Sequence, residues 1–526
     1  MRRKLGVVKN RVFLYNTDNT VKEGHSLLKK IICFLLAAAL LAAGCALADE
    51  AAAAPYTLAG FDDTEFRSWQ ENSFFARMEE ITGVAFNYLQ YTDRTAWTKA
   101  KAEMTAGSDM PDVLFKADLT GAECMEMLEK GVLYDLKPYL PDCCPNLWAI
   151  LSEHPEYLDA VTMPDGSVPA LPYITTIPIQ NYLWVNEAWL KNLGLKAPTT
   201  KDELTAVLTA FRDNDPNRNG KTDEIPMGFL GPFDLKFLAH AFGLYANDYN
   251  VFERDGRARF MPLEAEYRPF VEWCRELYQE KLLDKNGFTV SSMIRQVTDD
   301  KATPTYGMII TPAAADVFRV SWSTDYGIMA PLFYEGEQVY RDFMGSVLRG
   351  TFAVTTHCAD VEKMLKWVDF LYSEEGAVLA TIGKENEDYL VDGDGTWRLT
   401  ESTKNDSYYT VTGLIDGGGT IPGILADDFQ RRFSGNATLQ ITLDQQEAFN
   451  AKTRRPFPYY FLTRAQEEEI APLQAEIGYY VDMQLARWVL GEEEISDESF
   501  AAFETKLNEM GLDRFLAFWQ GVLDER

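Results

Sequence analysis

From Tyr56 onward, short apolar runs alternate with longer amphipathic ones, and this alternation constrains the fold most strongly. Tyr56 to Gly60, Val84 to Tyr91 and the stretch ending at Phe115 read as strands. Between them, Trp69 to Ile81 places Phe74, Phe75, Met78 and Ile81 at helical spacing and stops at Gly83, and Trp97 to Ala106 stops at Gly107. Leu119 to Lys130 reads as a helix ended by Gly131, and Val168 to Tyr173 as an apolar run after the Asp165-Gly166 turn. Further on, strands are expected at Tyr182 to Val185, Ile225 to Leu230, Tyr306 to Ile310, Gly327 to Pro331 and Phe352 to Thr355. Helices are expected at Glu187 to Leu193, Lys201 to Arg212, Leu235 to Phe242, Tyr267 to Lys281 and Asp360 to Ser373. Thr200, with Glu203 three residues later, has the form of a capping box. The end of the chain is helical, from Ala465 to Val489 and from Asp497 to Leu523. Such alternation implies an α/β fold built on parallel sheets. With 526 residues, and ~100–200 residues per domain, two or more domains, or two large lobes, are expected.

Charge and the N-terminus bound the setting. The formal charge is −30, and the first 44 residues are basic, so the remainder is more acidic still. Such a surface repels nucleic acid and anionic lipid. Lys29-Lys30 followed by the apolar run Ile31 to Ala43 has the form of a signal peptide, because a membrane span needs ~20 apolar residues. Leu41-Ala-Ala-Gly-Cys45 resembles a lipobox, in which Cys45 is lipidated, while Ala46-Leu-Ala48 is an A-x-A site for ordinary cleavage. The lipobox reading is preferred, with residues 1–44 as leader, starting from an over-long or misplaced first codon, and 45–55 as tether. Beyond Cys33 and Cys45 the cysteines are Cys124, Cys143, Cys144, Cys274 and Cys358, an odd set without C-x-x-C spacing, read as reduced, buried thiols. His154, His240 and His357 form no ligand spacing.

The stretch Asp213 to Pro226 reads D-N-D-P-N-R-N-G-K-T-D-E-I-P. Oxygen-bearing side chains recur at every second position, which suits a hard cation that takes six to eight oxygens. Counted from Asp215, acceptors fall at Asp215, Asn217, Asn219 and Asp223, with glycine at position 6 (Gly220) and the Lys221 carbonyl at position 7. Position 12 is Pro226, so Glu224 is the nearby bidentate carboxylate. A frame starting at Asp213 puts Glu224 at position 12 but Arg218 where glycine belongs, and is the weaker of the two. A polar turn rich in Asn and Asp is the plainer reading.

Several segments in order resemble the carbohydrate-directed extracellular solute-binding proteins of ABC importers (family 1, the larger lipoprotein branch). They are Gly107-Ser-Asp-Met-Pro-Asp-Val113, Gly131-Val-Leu-Tyr-Asp-Leu-Lys-Pro-Tyr-Leu140, Val185-Asn-Glu-Ala-Trp-Leu-Lys-Asn-Leu-Gly194 running on to Leu204, Asp223-Glu-Ile-Pro226 and Leu371-Tyr-Ser-Glu-Glu-Gly376. The resemblance implies an α/β two-lobe periplasmic-binding-protein-like fold (type II), with crossing strands between the lobes and a helical C-terminal part. It implies one lobe from 56–177 plus 349–410 and a second from 178–348 plus 411–526. It also implies a structural Ca2+ site like that of alginate-oligosaccharide-binding members, with ligands at Asp215, Asn217, Asn219, Lys221, Asp223 and Glu224, which agrees with the first frame. Two departures stand out: the family's D-G-K-x-Y-G-L-P turn reads Asp165-Gly-Ser-Val-Pro-Ala-Leu-Pro172, and its Asn-Gly pair reads Asn217-Arg218.

The function so implied is a cell-surface lipoprotein on the outer face of the cytoplasmic membrane. It captures an oligosaccharide by lobe closure and delivers it to ABC permease subunits, as a monomer, held to the membrane by its lipid alone and without nucleic acid. Sugars are bound by aromatic faces and by planar polar groups, beyond the C-terminal ends of strands. By position the candidates are Asp62, Trp69 and Asp118 after first-lobe strands, Tyr182 and Trp184 at the first crossover, and Phe233, Thr311 and Trp322 after second-lobe strands. Arg349 lies at the second crossover, and Tyr389 and Trp397 in a Gly-rich loop. Core packing is the competing role for every aromatic. No G-x-S-x-G, H-E-x-x-H or phosphate loop occurs, so no enzyme is expected. A glycoside hydrolase, or an adhesive lipoprotein without a transport role, is the alternative.

Overall fold

A computed structural model describes residues 55–62, 68–290, 303–318, 320–404, 420–425, 431–432 and 437–525. The leader, Cys45 and the boundary drawn at 410/411 lie outside them. Among these residues, ten strands build the two main sheets: β1 (Tyr56–Phe61), β2 (Phe86–Tyr91), β3 (Val113–Phe115), β4 (Leu171–Ile179), β5 (Tyr182–Asn186), β6 (Ile225–Met227), β7 (Tyr306–Thr311), β8 (Tyr326–Ile328), β9 (Gly345–Val354) and β10 (Gly423–Leu425).

Local chemistry sets most helix ends. The Asn72 side chain accepts from Phe74 N at 2.9 Å, so the helix starts at Ser73 and Trp69–Glu71 is a separate 3-10 turn. Phe74, Phe75 and Met78 face inward while Ile81 is 49 % exposed, since the helix ends at the left-handed Gly83. Thr200 accepts from Glu203 N, but the Glu203 carboxylate turns back to Thr199 N and Oγ1, so the expected box closes on one side only. The box does form where it was not expected, between Thr120 and Glu123. The expected helix Asp497 to Leu523 is two helices, Asp497–Glu509 and Leu512–Asp524, because Gly511 adopts φ 97° between them.

The first sheet has the order β10-β4-β9-β3-β1-β2. β1 runs parallel to β2 and β3, and β10 parallel to β4, but β9 runs antiparallel to both β3 and β4. The second sheet has the order β8-β5-β7-β6, with β6 and β7 parallel and the other pairs antiparallel. Both sheets are therefore mixed rather than parallel. The inserted antiparallel β9 is the strand that returns from the second sheet to the first. One element moves from its expected place: Gly423–Leu425 pairs with Tyr173–Thr175, so this part of 411–526 belongs to the first sheet, where it covers the otherwise open edge of β4.

Each sheet has its own core. Phe74, Phe115, Phe352 and Trp367 anchor the first, and Trp189, Phe211, Tyr306 and Trp488 the second. The helix Arg464–Leu490 packs against Tyr267–Gln279 on the second lobe. The five cysteines of the described chain are free and buried.

Candidate ligand cleft and cation loop

Among the described residues, three stretches of chain pass between the sheets. The first is Ile179 to Tyr182, where buried Gln180 donates Nε2 to Arg341 O at 2.7 Å. The second is Arg341 to Gly345, where Met344 N donates back to Ile179 O. The third begins at Thr453–Arg454, which pairs in parallel with Tyr340–Arg341. It continues with Tyr459 and Phe461 against the first-lobe cores and Phe457 and Leu462 in the second.

Arginines and aromatic rings concentrate here. Arg455 Nη2 reaches Asp342 Oδ2 at 3.0 Å and the Tyr459 hydroxyl at 2.7 Å, with its guanidinium 3.7 Å from the Tyr459 ring centroid. Burial raises the Asp342 carboxyl, and Arg455 works against that. Arg341 pairs with Asp248 at 2.6 Å and lies over Phe237 and Phe343. Arg349 donates Nη1 to Tyr460 O at 2.8 Å and sits 4.5 Å from the Phe461 centroid. None of Arg341, Asp342, Arg455 or Tyr459 to Phe461 was selected from the sequence. The signal was present: Thr453 to Leu462 reads T-R-R-P-F-P-Y-Y-F-L, dense in arginine, proline and aromatics.

The sequence-selected residues fall into separate groups. Asp62 is buried, accepts from Trp69 Nε1 at 3.0 Å and pairs with Lys116 at 3.1 Å, so with the fully buried Trp69 it forms a closed polar contact under the sheet end. Asp118 is exposed and paired with Arg94, whose guanidinium lies 3.9 Å from the Phe61 centroid. Tyr182, Trp184 and Thr311 do come together. Tyr182 is the register partner of Thr311, and Trp184 Nε1 donates to Thr311 O at 2.9 Å. All three are buried, as is Trp322. Phe233 is 37 % exposed and meets Phe237 and Phe343 edge-on. Tyr389 and Trp397 pack on each other across a hairpin, 5.1 Å apart, beside a first-lobe cavity of about 780 Å3 that Arg77 also lines.

Next to Phe233, Asp234 is 3 % exposed and accepts from Leu230 N at 2.7 Å. Burial pushes its carboxyl up to about 7. The folded state then holds this proton more tightly than the unfolded chain, whose value is ~3.9. Its contribution is greatest at low pH and is lost as pH rises from roughly 4 through about 7. Asp234→Asn should flatten that dependence and be more stable than the parent at pH ~8 by a few kcal/mol, yet not at pH ~3.5, in denaturant unfolding.

The acidic loop follows the helix Lys201–Asp213. Asp215 accepts from Asn219 N and Gly220 N, Asn217 Oδ1 from Asn219 N, and Asn219 Oδ1 from Lys221 N. Gly220 takes φ 75° at the bend. The Asn217 and Asn219 amides both point at Asp223 Oδ1, at 3.4 and 2.9 Å. A half-turn of either amide presents its oxygen to the same point, at the loss of the bond that oxygen accepts from Asn219 N or Lys221 N. Among the described residues no three His, Cys, Asp or Glu side chains form a metal-holding group, so a cation here needs the amide and backbone oxygens too. One observation favours it. Glu224 Oε1 is buried without a hydrogen-bond partner among the described residues, and burial, then the charges of Asp223 and Asp215, raise its carboxyl. The loop is also tied to the segment before β7, through Asn217 to Pro304 O, Asn219 to Thr303 and Ile225 N to Thr305 O at 2.7 Å.

Two α/β lobes, joined by crossing segments and followed by C-terminal helices, define a type II solute-binding protein. The chain belongs to the bacterial extracellular solute-binding protein family, whose profile matches residues 73–383. Among its relatives is the fructooligosaccharide ABC transporter substrate-binding protein FusA of Streptococcus pneumoniae serotype 4, 26 % identical over 485 residues, covering 86 % of this chain and 87 % of FusA. An extracellular solute-binding protein of Bifidobacterium longum subsp. infantis superposes with TM-score 0.74 at 21 % identity, over 90 % of this chain and 98 % of that one. An EF-hand mutant of FusA bound to fructo-nystose superposes with TM-score 0.67 at 24 % identity, over 90 % of this chain and 99 % of that one. The alginate-binding protein AlgQ2 without calcium ion gives 0.64 at 21 %, over 89 % and 98 %. The family and these relatives are binding proteins.

Proposed function

We propose that this protein is exported, held by lipid on Cys45 to the outer face of the cytoplasmic membrane, and captures an oligosaccharide for an ABC importer. The observation that carries this reading is the pair of separately cored sheets connected by three passages of chain, with arginines and aromatic rings at the passages. A ligand touching both lobes favours the closed arrangement by its differential affinity, and the closed form docks on the permease. The lobes divide near 177/178 and 348/349, with Gly423–Leu425 counted in the first. Relatives named for fructooligosaccharide and alginate support a carbohydrate ligand. Ca2+ in the Asp215 to Glu224 loop is structural, held by Asp215, Asn217, Asn219, the Lys221 carbonyl, Asp223 and Glu224, and it fixes β6 against β7.

Asp118, Phe233 and Arg349 keep accessible groups near the passages and are the foremost contacts of the sequence-selected set. The buried members act by shaping the lobes. A thermal-shift screen of oligosaccharides, followed by calorimetry and a reducing-end assay, tests the reading. A ligand that raises the melting temperature and is recovered intact is expected. Release of new reducing ends would instead make the protein an enzyme.

A further inference from the structure

A cavity of about 510 Å3 lies where the two lobes and the third passage meet, within the ~300–1,000 Å3 range of small-ligand sites. Thr120 borders it from the loop after β3, Arg349 from β9, Tyr460 from the third passage, Glu467 and Gln474 from the helix Arg464–Leu490, and Tyr249 from a second-lobe turn. Arg349 carries five N–H donors, and among the described residues its one hydrogen bond is Nη1 to Tyr460 O. Phe461 backs its guanidinium, leaving the remaining donors for the cavity.

Charge decides what this space can hold. Among the described residues the only charged side chains lining it are Arg349 and Glu467, of opposite sign. The neighbouring cations are already matched: Arg455 by Asp342 at 3.0 Å, Lys101 by Glu123 at 2.7 Å and Arg464 by Glu126 at 2.6 Å. The whole chain carries −30. A carboxylate or sulfate would find no surplus positive charge, while a neutral ring finds both donors and an acceptor for vicinal hydroxyls. Tyr249, 37 % exposed beside Trp519, adds aromatic surface for C–H groups.

We infer that this cavity is a subsite for an uncharged sugar unit, with Arg349 donating to its hydroxyls and Glu467 accepting from them. This rests on the oligosaccharide reading above and adds the ligand's charge class and the residues Glu467, Gln474 and Tyr460.

The test is calorimetry on the full mature chain with two probe sets of matched length. One set is neutral fructo-, gluco- and galacto-oligosaccharides, and the other is oligogalacturonates, each at ~50 and ~500 mM salt. Neutral probes should bind with less than about twofold change between the two salts. Arg349→Gln and Glu467→Gln should each weaken that binding roughly tenfold or more, as expected for hydrogen bonds to charged groups. Melting curves check the fold, and if Arg349→Gln does not fold, Glu467→Gln carries the test. Tighter, salt-sensitive binding of the uronates overturns the charge class. Neutral binding within about twofold of the parent in the folded variants overturns the subsite while leaving the oligosaccharide reading in place. No binding from either set removes that reading and this inference with it.

Discussion

Trp184→Ala should destabilise the protein by ~3–5 kcal/mol, the range for truncating a buried aromatic. Trp184 sits in the middle of the second sheet, paired with Ile328 on one side and Ile309 on the other, and is 3 % exposed. Truncation opens a cavity against Tyr182 and leaves the Thr311 carbonyl without its indole donor. Tyr182→Phe is the control, since it removes only the hydroxyl contacts with Asn450 and the Pro178 carbonyl and should cost about 1 kcal/mol. Denaturant unfolding measures both. If Trp184→Ala kept the parent's stability but lost ligand affinity, the indole would be a sugar platform rather than a core residue.

The second large effect concerns the cation loop. Saturating Ca2+ should stabilise the folded chain by ~2.7 kcal/mol at one hundred times its dissociation constant, and chelation should reverse this. Glu224→Gln separates a metal site from a turn, because its effect changes sign with the ion. Without Ca2+ the substitution removes a half-buried carboxylate whose Oε1 has no partner among the described residues, and should be neutral or stabilising. With Ca2+ it removes the closing ligand and should abolish the metal-dependent gain. The readout is the melting temperature of both proteins with calcium and with a chelator. A chelator that moves neither curve would leave the loop as a turn closed by its own hydrogen bonds, such as Asp215 with Gly220 N.

How far the chain could be read depended on the range of the interaction. Helix caps depend on a few adjacent residues, and Asn72, Asp93 and Thr200 all accept from the backbone N–H two or three residues on. The Asp215 to Glu224 loop is equally local: its bend at Gly220 is held by Asp215, which accepts from the backbone N–H groups of Asn219 and Gly220. Aromatic residues were the weak point. A tryptophan with apolar faces and one N–H serves a core or a sugar equally well. Sequence position selected Trp69 and Trp184, and both N–H groups are used within the protein, by Asp62 and by the Thr311 carbonyl.

By itself, then, the sequence determined the alternation of strand and helix, the family, and the oxygen-bearing side chains spaced between Asp215 and Glu224, because each depends on period, composition or neighbours a few residues apart. Only the tertiary structure decided that β9 enters the first sheet antiparallel, that Gly423–Leu425 closes its edge, and that Thr453 to Leu462 is a third passage between the lobes. It also brought Arg349 to a cavity shared with Glu467, more than a hundred residues away in the chain. Strand pairing and cavity lining join residues distant in sequence, and no local pattern records which partner the folded chain supplies.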